Sequence, residues 1–226
     1  MNFIQLLKRD FYFLKSKKRN LFFLLSFFTL LFIHLKKNLT DLAFFTGGIT
    51  EMSARESLFI SFPYCWFFIV LAPIILIHDF IRQDLTTQGI PVFILAQKKW
   101  YLLSKIIASF LATLVLNILY FLILHLLTIP FSLFFYLLIF LGQLMSVSIF
   151  ILFNLLLEEI LAFIVIIIIY SLGWKHSHHF FPANINMPAQ HLSNQLTTSF
   201  ILSYNFMFFF ISSILSIYIL QKKEIY

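Results

Sequence analysis

The chain has 226 residues, of which 61% are hydrophobic and only 11% are charged. So few charges cannot give most of the chain a water-facing surface, which excludes an ordinary soluble domain. The formal net charge of +7 reflects Lys and Arg beside apolar runs, where they attract anionic lipid head groups, so membrane lipids are expected partners and nucleic acid is not.

The first 19 residues predict an amphipathic helix that lies on the membrane surface. Ile4, Leu7, Phe11 and Leu14 recur at helical spacing, although Phe13 falls on the polar side. The alternative is an unstructured basic leader that only sets the orientation of the first span.

Six apolar runs follow, and they predict six transmembrane helices. A helix satisfies its own backbone hydrogen bonds where no water is available, and it needs roughly 20 apolar residues to cross a bilayer. The predicted spans are Leu21–Leu35, Leu58–Ile81, Trp100–Thr128, Leu133–Leu157, Ile160–Gly173 and Phe200–Leu220. We therefore expect an all-α integral membrane protein that forms one transmembrane domain over residues 1–226.

The distribution of Lys and Arg predicts that both termini are cytoplasmic. Only Lys36, Lys37, Arg55 and Lys175 of the sixteen basic residues fall on the opposite side in this arrangement. The longest cytoplasmic connection is then 82–99, and the largest external segment is 174–199. Pro73 removes a hydrogen bond inside the second span and is expected to bend it.

Small residues recur every four positions in two of the predicted spans. At that spacing they allow helix backbones to approach closely, which predicts packing faces within the chain or between copies. The predicted packing residues are Ser104, Ala108 and Ala112 in the third span and Gly142 and Ser146 in the fourth.

The external segment is rich in histidine, and neutral imidazoles are common ligands for zinc and copper. The candidates are His176, His178, His179 and His191. Their spacing matches no closed zinc pattern, and no cysteine or nearby carboxylate completes a site, so we expect a polar interfacial loop and assign no metal.

The chain lacks the sequence patterns of the usual catalytic sites. It has no P-loop, no H-E-x-x-H pair and no G-x-S-x-G elbow, so we do not expect an enzyme. Ionisable residues near the middle of the spans, which proton-coupled transporters use, are nearly missing. The main polar exceptions in the third span are Asn117 and His125.

The layout resembles the permease subunits of type-2 ABC exporters. The local similarity lies in Arg82-Gln83-Asp84, Gln88-Gly89-Ile90, Ile94 to Trp100 and Leu103-Ser104-Lys105, although Ile90 stands where the family usually has Thr and a Pro-x-Ser/Arg turn is missing. The resemblance implies that residues 84–99 form a coupling helix seated on a separate ATPase, which carries ATP and magnesium, and that residues 1–19 form a connecting helix beside it. The implied coupling residues are Asp84, Gly89, Ile94, Leu95, Lys98 and Lys99.

The same resemblance implies a second permease copy or paralogue as a partner, and the scarcity of charge implies an apolar or amphipathic substrate such as a peptide, drug or lipid. We expect a multi-pass protein of the plasma membrane, and the heavy use of Phe, Ile, Leu, Lys and Asn, which is typical of an AT-rich genome, favours a bacterial source. Three alternatives stay open: an ATP-independent immunity or assembly factor, a haem-export permease of cytochrome maturation, and a membrane-embedded enzyme acting on lipids.

Overall fold

The computed structural model describes residues 2–37, 64–78, 80, 97–126, 133–175, 181–187 and 196–222. All regular structure in these ranges is helical. The helices, which we number in chain order, are α1 Phe3–Ser16, α2 Lys18–Lys37, α3 Tyr64–Ile77, α4 Lys98–Leu126, α5 Leu133–Leu156, α6 Glu159–Lys175, α7 Pro182–Asn186 and α8 Thr198–Lys222.

Three of these helices are long and apolar enough to cross a bilayer, namely α4, α5 from Tyr136 onward, and α8. Two shorter apolar helices, Trp66–Ile77 within α3 and Glu159–Leu172 within α6, accompany them. The helical architecture is therefore compatible with a multi-pass membrane protein. Predicted and observed helix ends differ by at most three residues for α2, α4, α5, α6 and α8. Of the predicted second span, Leu58–Ile81, residues 58–63, 79 and 81 lie outside the described residues.

Helix α5 is the centre of the bundle. It packs against α3, α4, α6, α7 and α8, with α8 making the most extensive contact. Every residue from Leu141 to Ile151 on this helix is buried. The peripheral helices α4, α6 and α8 instead leave large apolar side chains exposed, such as Leu122, Ile164 and Phe210. An exposed apolar surface of this kind suits lipid rather than water.

Basic residues collect at one end of the bundle, which we call the basic end. Lys98 at the start of α4 donates to the carbonyl of Gln221 near the end of α8 at 3.4 Å. A shared cavity also places Lys17 and Arg19, at the junction of α1 and α2, beside His78 at the end of α3. The short helix α7 lies at the other end, where the Trp66 indole nitrogen donates to the Asn186 carbonyl at 3.0 Å.

Candidate functional site

Helix α1 is a regular, capped helix that carries two different faces. The side chains and backbones of Asn2 and Gln5 bond to each other in a capping box, which satisfies two of the free donors at the helix start. Ile4 and Phe11, from the predicted apolar face, are 62% and 41% exposed. Leu6 and Asp10 are fully buried against the protein instead.

A buried ion pair attaches α1 to α4. The Lys105 ammonium lies 2.9 Å from Asp10 Oδ1, and the Ser104 hydroxyl donates to Asp10 Oδ2 at 2.6 Å. The side chains of Asp10 and Lys105 are 0% and 1% exposed. Removing one partner of such a pair leaves an uncompensated charge in a low-dielectric site, which costs about 3–5 kcal/mol. We call Asp10, Ser104 and Lys105 the α1 clamp.

Aromatic rings enclose the α1 clamp. The Lys105 ammonium lies 3.7 Å from the centre of the Phe80 ring, and Phe13 stacks on Phe80 at 5.1 Å. A cation over a ring face is stabilised by the ring quadrupole, and more strongly where water is excluded. Arg9 adds a second cation, 3.0 Å from Asp10 Oδ1 and 5.6 Å from the centre of the Tyr101 ring. The carboxylate therefore has two basic neighbours.

Helix α1 bridges the two ends of the predicted coupling loop. Phe13 and Lys105 both contact Phe80, which follows α3, where the loop begins. Phe3 contacts Trp100 at 5.7 Å, where the loop ends and α4 starts. A 14-residue helix is about 21 Å long. Helix α1 therefore lies against both the start and the end of the loop, and the α1 clamp fixes the helix to α4.

Four predicted coupling residues, Asp84, Gly89, Ile94 and Leu95, lie outside the described residues. The other two lie in the first turn of α4. Lys98 contacts the carbonyl of Gln221, as described above, and the Lys99 ammonium lies 5.2 Å from the centre of the Trp100 ring.

The predicted packing residues of α4 lie on the side that meets other helices. Ser104 is part of the α1 clamp, and Ala108 is fully buried. Ala112 is partly buried and lines a cavity between α1, α2, α3 and α4.

On α5, Gly142 and Ser146 contact α7 and α6, respectively, away from the basic end. A Cβ on Gly142 would lie 2.8 Å from Asn186 Cγ, so glycine permits α7 to approach this closely. The Ser146 hydroxyl donates to the Gly142 carbonyl at 2.8 Å and is also bonded to the Tyr170 hydroxyl.

A second polar network crosses the centre of the bundle. Gln143 donates to the Ile69 carbonyl at 2.6 Å and accepts a hydrogen bond from Asn117. Asn117 also donates to the Thr113 carbonyl at 2.8 Å. The network links α3, α4 and α5 through neutral groups only, so it supports packing rather than proton or ion transfer.

His78 and Glu159 form a further polar contact at the basic end. The His78 Nε2 lies 3.9 Å from a Glu159 carboxylate oxygen, and Asn154 donates to the His78 carbonyl at 3.4 Å. These contacts hold the end of α3 against the turn between α5 and α6. Glu158, in that turn, is exposed.

The histidines proposed as possible metal ligands, His176, His178, His179 and His191, lie outside the described residues. Among the residues that the structure does describe, no group of three or more His, Cys, Asp or Glu side chains could hold a metal ion. The interpretation of the external segment as a polar loop without a metal therefore stays a prediction.

Sequence reasoning missed the two residues on which these networks depend, Asp10 and Gln143. A signal for Asp10 existed in the chain, since Phe3, Leu6, Asp10 and Phe13 recur at alternating spacings of three and four, which places them on one face of a helix. No protein-family model, curated protein or solved structure matches this chain.

Proposed function

We propose that this chain is the membrane-spanning permease subunit of an ATP-driven exporter whose ATPase is a separate subunit. Six helices, α2 to α6 and α8, cross the membrane in this arrangement, and the basic end with both termini faces the cytoplasm. A second permease copy or paralogue completes the substrate path. The membrane is the plasma membrane, of a bacterium.

The observation that carries this proposal is the position of α1 across both ends of the loop 82–99. A partner that pushes on this loop moves Phe80 and Trp100, and both contact α1. The α1 clamp fixes α1 to α4, so displacement of the loop is transmitted to a helix long enough to cross the bilayer. Such a link suits a protein that receives mechanical work from outside the membrane.

The interior of the bundle supports a substrate with little charge. In the described parts of α3, α5 and α8 the buried polar groups are neutral Ser, Asn and Gln side chains, and the buried charges Asp10 and Lys105 neutralise each other at the basic end. An ionic substrate would need compensating charges along its path. An apolar or amphipathic peptide, drug or lipid would not.

The test is co-purification of a nucleotide-hydrolysing polypeptide with the tagged protein from its native host in mild detergent. We expect recovery with the parent protein and loss with Ile94→Asp. Leu157→Asp is the matched control, because it places the same charge at the basic end in the turn between α5 and α6, where Leu157 is 39% exposed. Size-exclusion profiles of all three proteins report whether they are folded.

Two outcomes would contradict the proposal. Absence of any such polypeptide, under conditions that preserve a known ABC complex, would favour an ATP-independent immunity or assembly factor. If the nucleotide-hydrolysing polypeptide is recovered equally with Ile94→Asp, the loop is not the surface that binds it.

A further inference from the structure

Helix α7 is held in place by its neighbours rather than by its own hydrogen bonds. It has five residues, far fewer than the roughly 12 below which an isolated helix is marginal. The Asn186 carbonyl accepts a 3.0 Å hydrogen bond from the Trp66 indole of α3. The close approach of Asn186 to Gly142 adds a contact with α5. Both α3 and α5 therefore contribute to the position of α7.

Helix α1 is likewise attached to two elements at the basic end. The α1 clamp joins it to α4, and Phe13 stacks on Phe80, which lies just beyond the end of α3. Phe80 moves with α3, because its backbone nitrogen donates to the Ile77 carbonyl at 2.9 Å. The Phe80 ring is 1% exposed and also contacts the Lys105 ammonium. A displacement of α3 would therefore change the contacts of α1.

Helix α3 lies between these two attachments and is about 21 Å long. Every residue from Ile69 to Ile74 is buried, and Gln143 of α5 donates to the Ile69 carbonyl in the middle of the helix. A close-packed protein interior has low compressibility and transmits strain, so the middle of α3 has no free space into which it could bend. A shift of α3 at Phe80 should therefore reach Trp66.

We propose that α3 couples the attachment of α1 at the basic end to the attachment of α7 at the opposite end. Weakening the contact that α3 makes at either end loosens both α1 and α7. Such coupling is reciprocal, because one free energy links the two sites. A partner that displaces α1 or Phe80 would thus change the position of α7. The inference is independent of the transport proposal, since it concerns contacts within the chain.

The test is the alkylation rate of reporter cysteines by a water-soluble maleimide, in the purified full-length protein with the native Cys65 replaced by Ser. Leu6→Cys reports on α1 and Ala183→Cys on α7, since both side chains are 0% exposed. Trp66→Phe removes the indole donor to α7 but keeps an aromatic ring. We expect it to raise the alkylation rate of Leu6→Cys by about fivefold, which corresponds to one buried hydrogen bond.

The reverse experiment starts at the basic end. Phe80→Leu keeps an apolar side chain but removes the ring that Phe13 and Lys105 contact. We expect the alkylation rate of Ala183→Cys to rise by about fivefold, the lower end of the usual range for coupling between two sites.

Two matched controls loosen the same helices through contacts that α3 does not make. Gly142→Ala disturbs α7 from α5 and should raise the alkylation rate of Ala183→Cys but not that of Leu6→Cys. Ser104→Ala removes a hydrogen bond between α4 and α1 and should raise the rate of Leu6→Cys but not that of Ala183→Cys.

The proposal is overturned if Trp66→Phe leaves Leu6→Cys unchanged or Phe80→Leu leaves Ala183→Cys unchanged. Equal effects of the two controls at the distant reporter would show a route other than α3 and overturn it as well. A third reporter, Ala162→Cys on α6, is also buried and should stay protected in every variant. A rise in its alkylation rate would indicate general loosening of the bundle and would likewise reject the specific link.

Discussion

Gln143 donates its side-chain amide to the carbonyl of Ile69 at 2.6 Å. In a regular helix that carbonyl would accept from the backbone nitrogen of residue 73, but Pro73 has no N–H. The proline of α3 and the glutamine of α5 therefore form a complementary pair, since the hydrogen bond that one removes is replaced by the other. A buried carbonyl without a donor is costly where water is excluded, so the pair also stabilises the contact between the two helices.

We expect Gln143→Leu to lower the free energy of unfolding by about 0.6–1.7 kcal/mol, the range for hydrogen bonds between membrane helices. In a Pro73→Ala background the cost should be smaller, because the N–H of residue 73 can then reach the Ile69 carbonyl. Unfolding titrations in mixed micelles measure both values. Asn154→Leu is the control and should cost the same in either background, since Asn154 donates to His78 instead. If Gln143→Leu costs as much unfolding free energy in the Pro73→Ala background as in the parent protein, the two residues do not form a pair.

We expect Asp10→Ala to release α1 from α4, because it leaves the Lys105 charge buried without its carboxylate. The penalty of about 3–5 kcal/mol corresponds to a hundredfold or greater rise in exposure of buried α1 positions. Alkylation of Leu6→Cys, in a protein whose single native cysteine Cys65 is replaced by Ser, measures that exposure. Ile4→Cys is the control, since Ile4 is already exposed and its alkylation should not change.

A second variant separates the ion pair from the packing around it. Asp10→Leu/Lys105→Met replaces both charges with apolar groups, which often restores stability at buried ion pairs. Protection of Leu6→Cys should return in this protein. If Asp10→Ala leaves the alkylation rate of Leu6→Cys unaltered, the clamp does not hold α1.

We expect Gly142→Ala to destabilise the protein by about 1–3 kcal/mol, because the new Cβ would lie 2.8 Å from Asn186 Cγ. Asn186 cannot move freely, since it is buried, its amide donates to the Pro182 carbonyl, and its own carbonyl accepts from Trp66. Asn186→Ala removes the two closest atoms and should recover part of the loss. The unfolding temperatures in detergent of the parent protein, Gly142→Ala and Gly142→Ala/Asn186→Ala measure these differences. Leu137→Ala, an exposed change on the same helix, should have little effect, and an equal loss there would refute the steric explanation.

We expect Lys98→Gln and Lys99→Gln to change stability by less than about 1 kcal/mol. Lys99 is exposed, and the Lys98 contact with the end of α8 is a helix-terminus interaction at the surface. If the coupling surface includes these lysines, both variants should nevertheless lose the nucleotide-hydrolysing partner. Partner recovery and unfolding temperature are measured on the same preparations. Retained partner binding in both variants would exclude the two lysines from that surface.

The sequence predicted the helical class and most helix ends to within three residues, because apolar runs and basic flanks are local signals. The α1 helix was also predicted, but not its orientation. Ile4 and Phe11 belong to the predicted apolar face, and their exposure beside the burial of Asp10 shows that α1 has an exposed apolar side and a protein-facing side. Phe13, which did not fit a single apolar face, belongs to the second.

The α1 clamp could not be predicted, because Asp10 and Lys105 are 95 residues apart and share no periodic pattern. The need of Ile69 for a donor follows from Pro73 alone, but Gln143 is identified as that donor only when α3 and α5 are seen to be neighbours. The helix α7 has five residues, too few for a periodicity to be recognised, and it is held by contacts to Trp66 and Gly142.

The central position of α5 has a consequence for the order in which the protein is made. The partners of Gln143 come from α3 and α4, which leave the ribosome before α5, so this polar group can be satisfied as soon as α5 is made. The largest contact surface of α5 is covered by α8, which follows α6 and α7 in the chain. A nascent chain that stops after α6 therefore carries a helix suited to a protein interior with one side still uncovered. Completion of the bundle around α5 depends on α8.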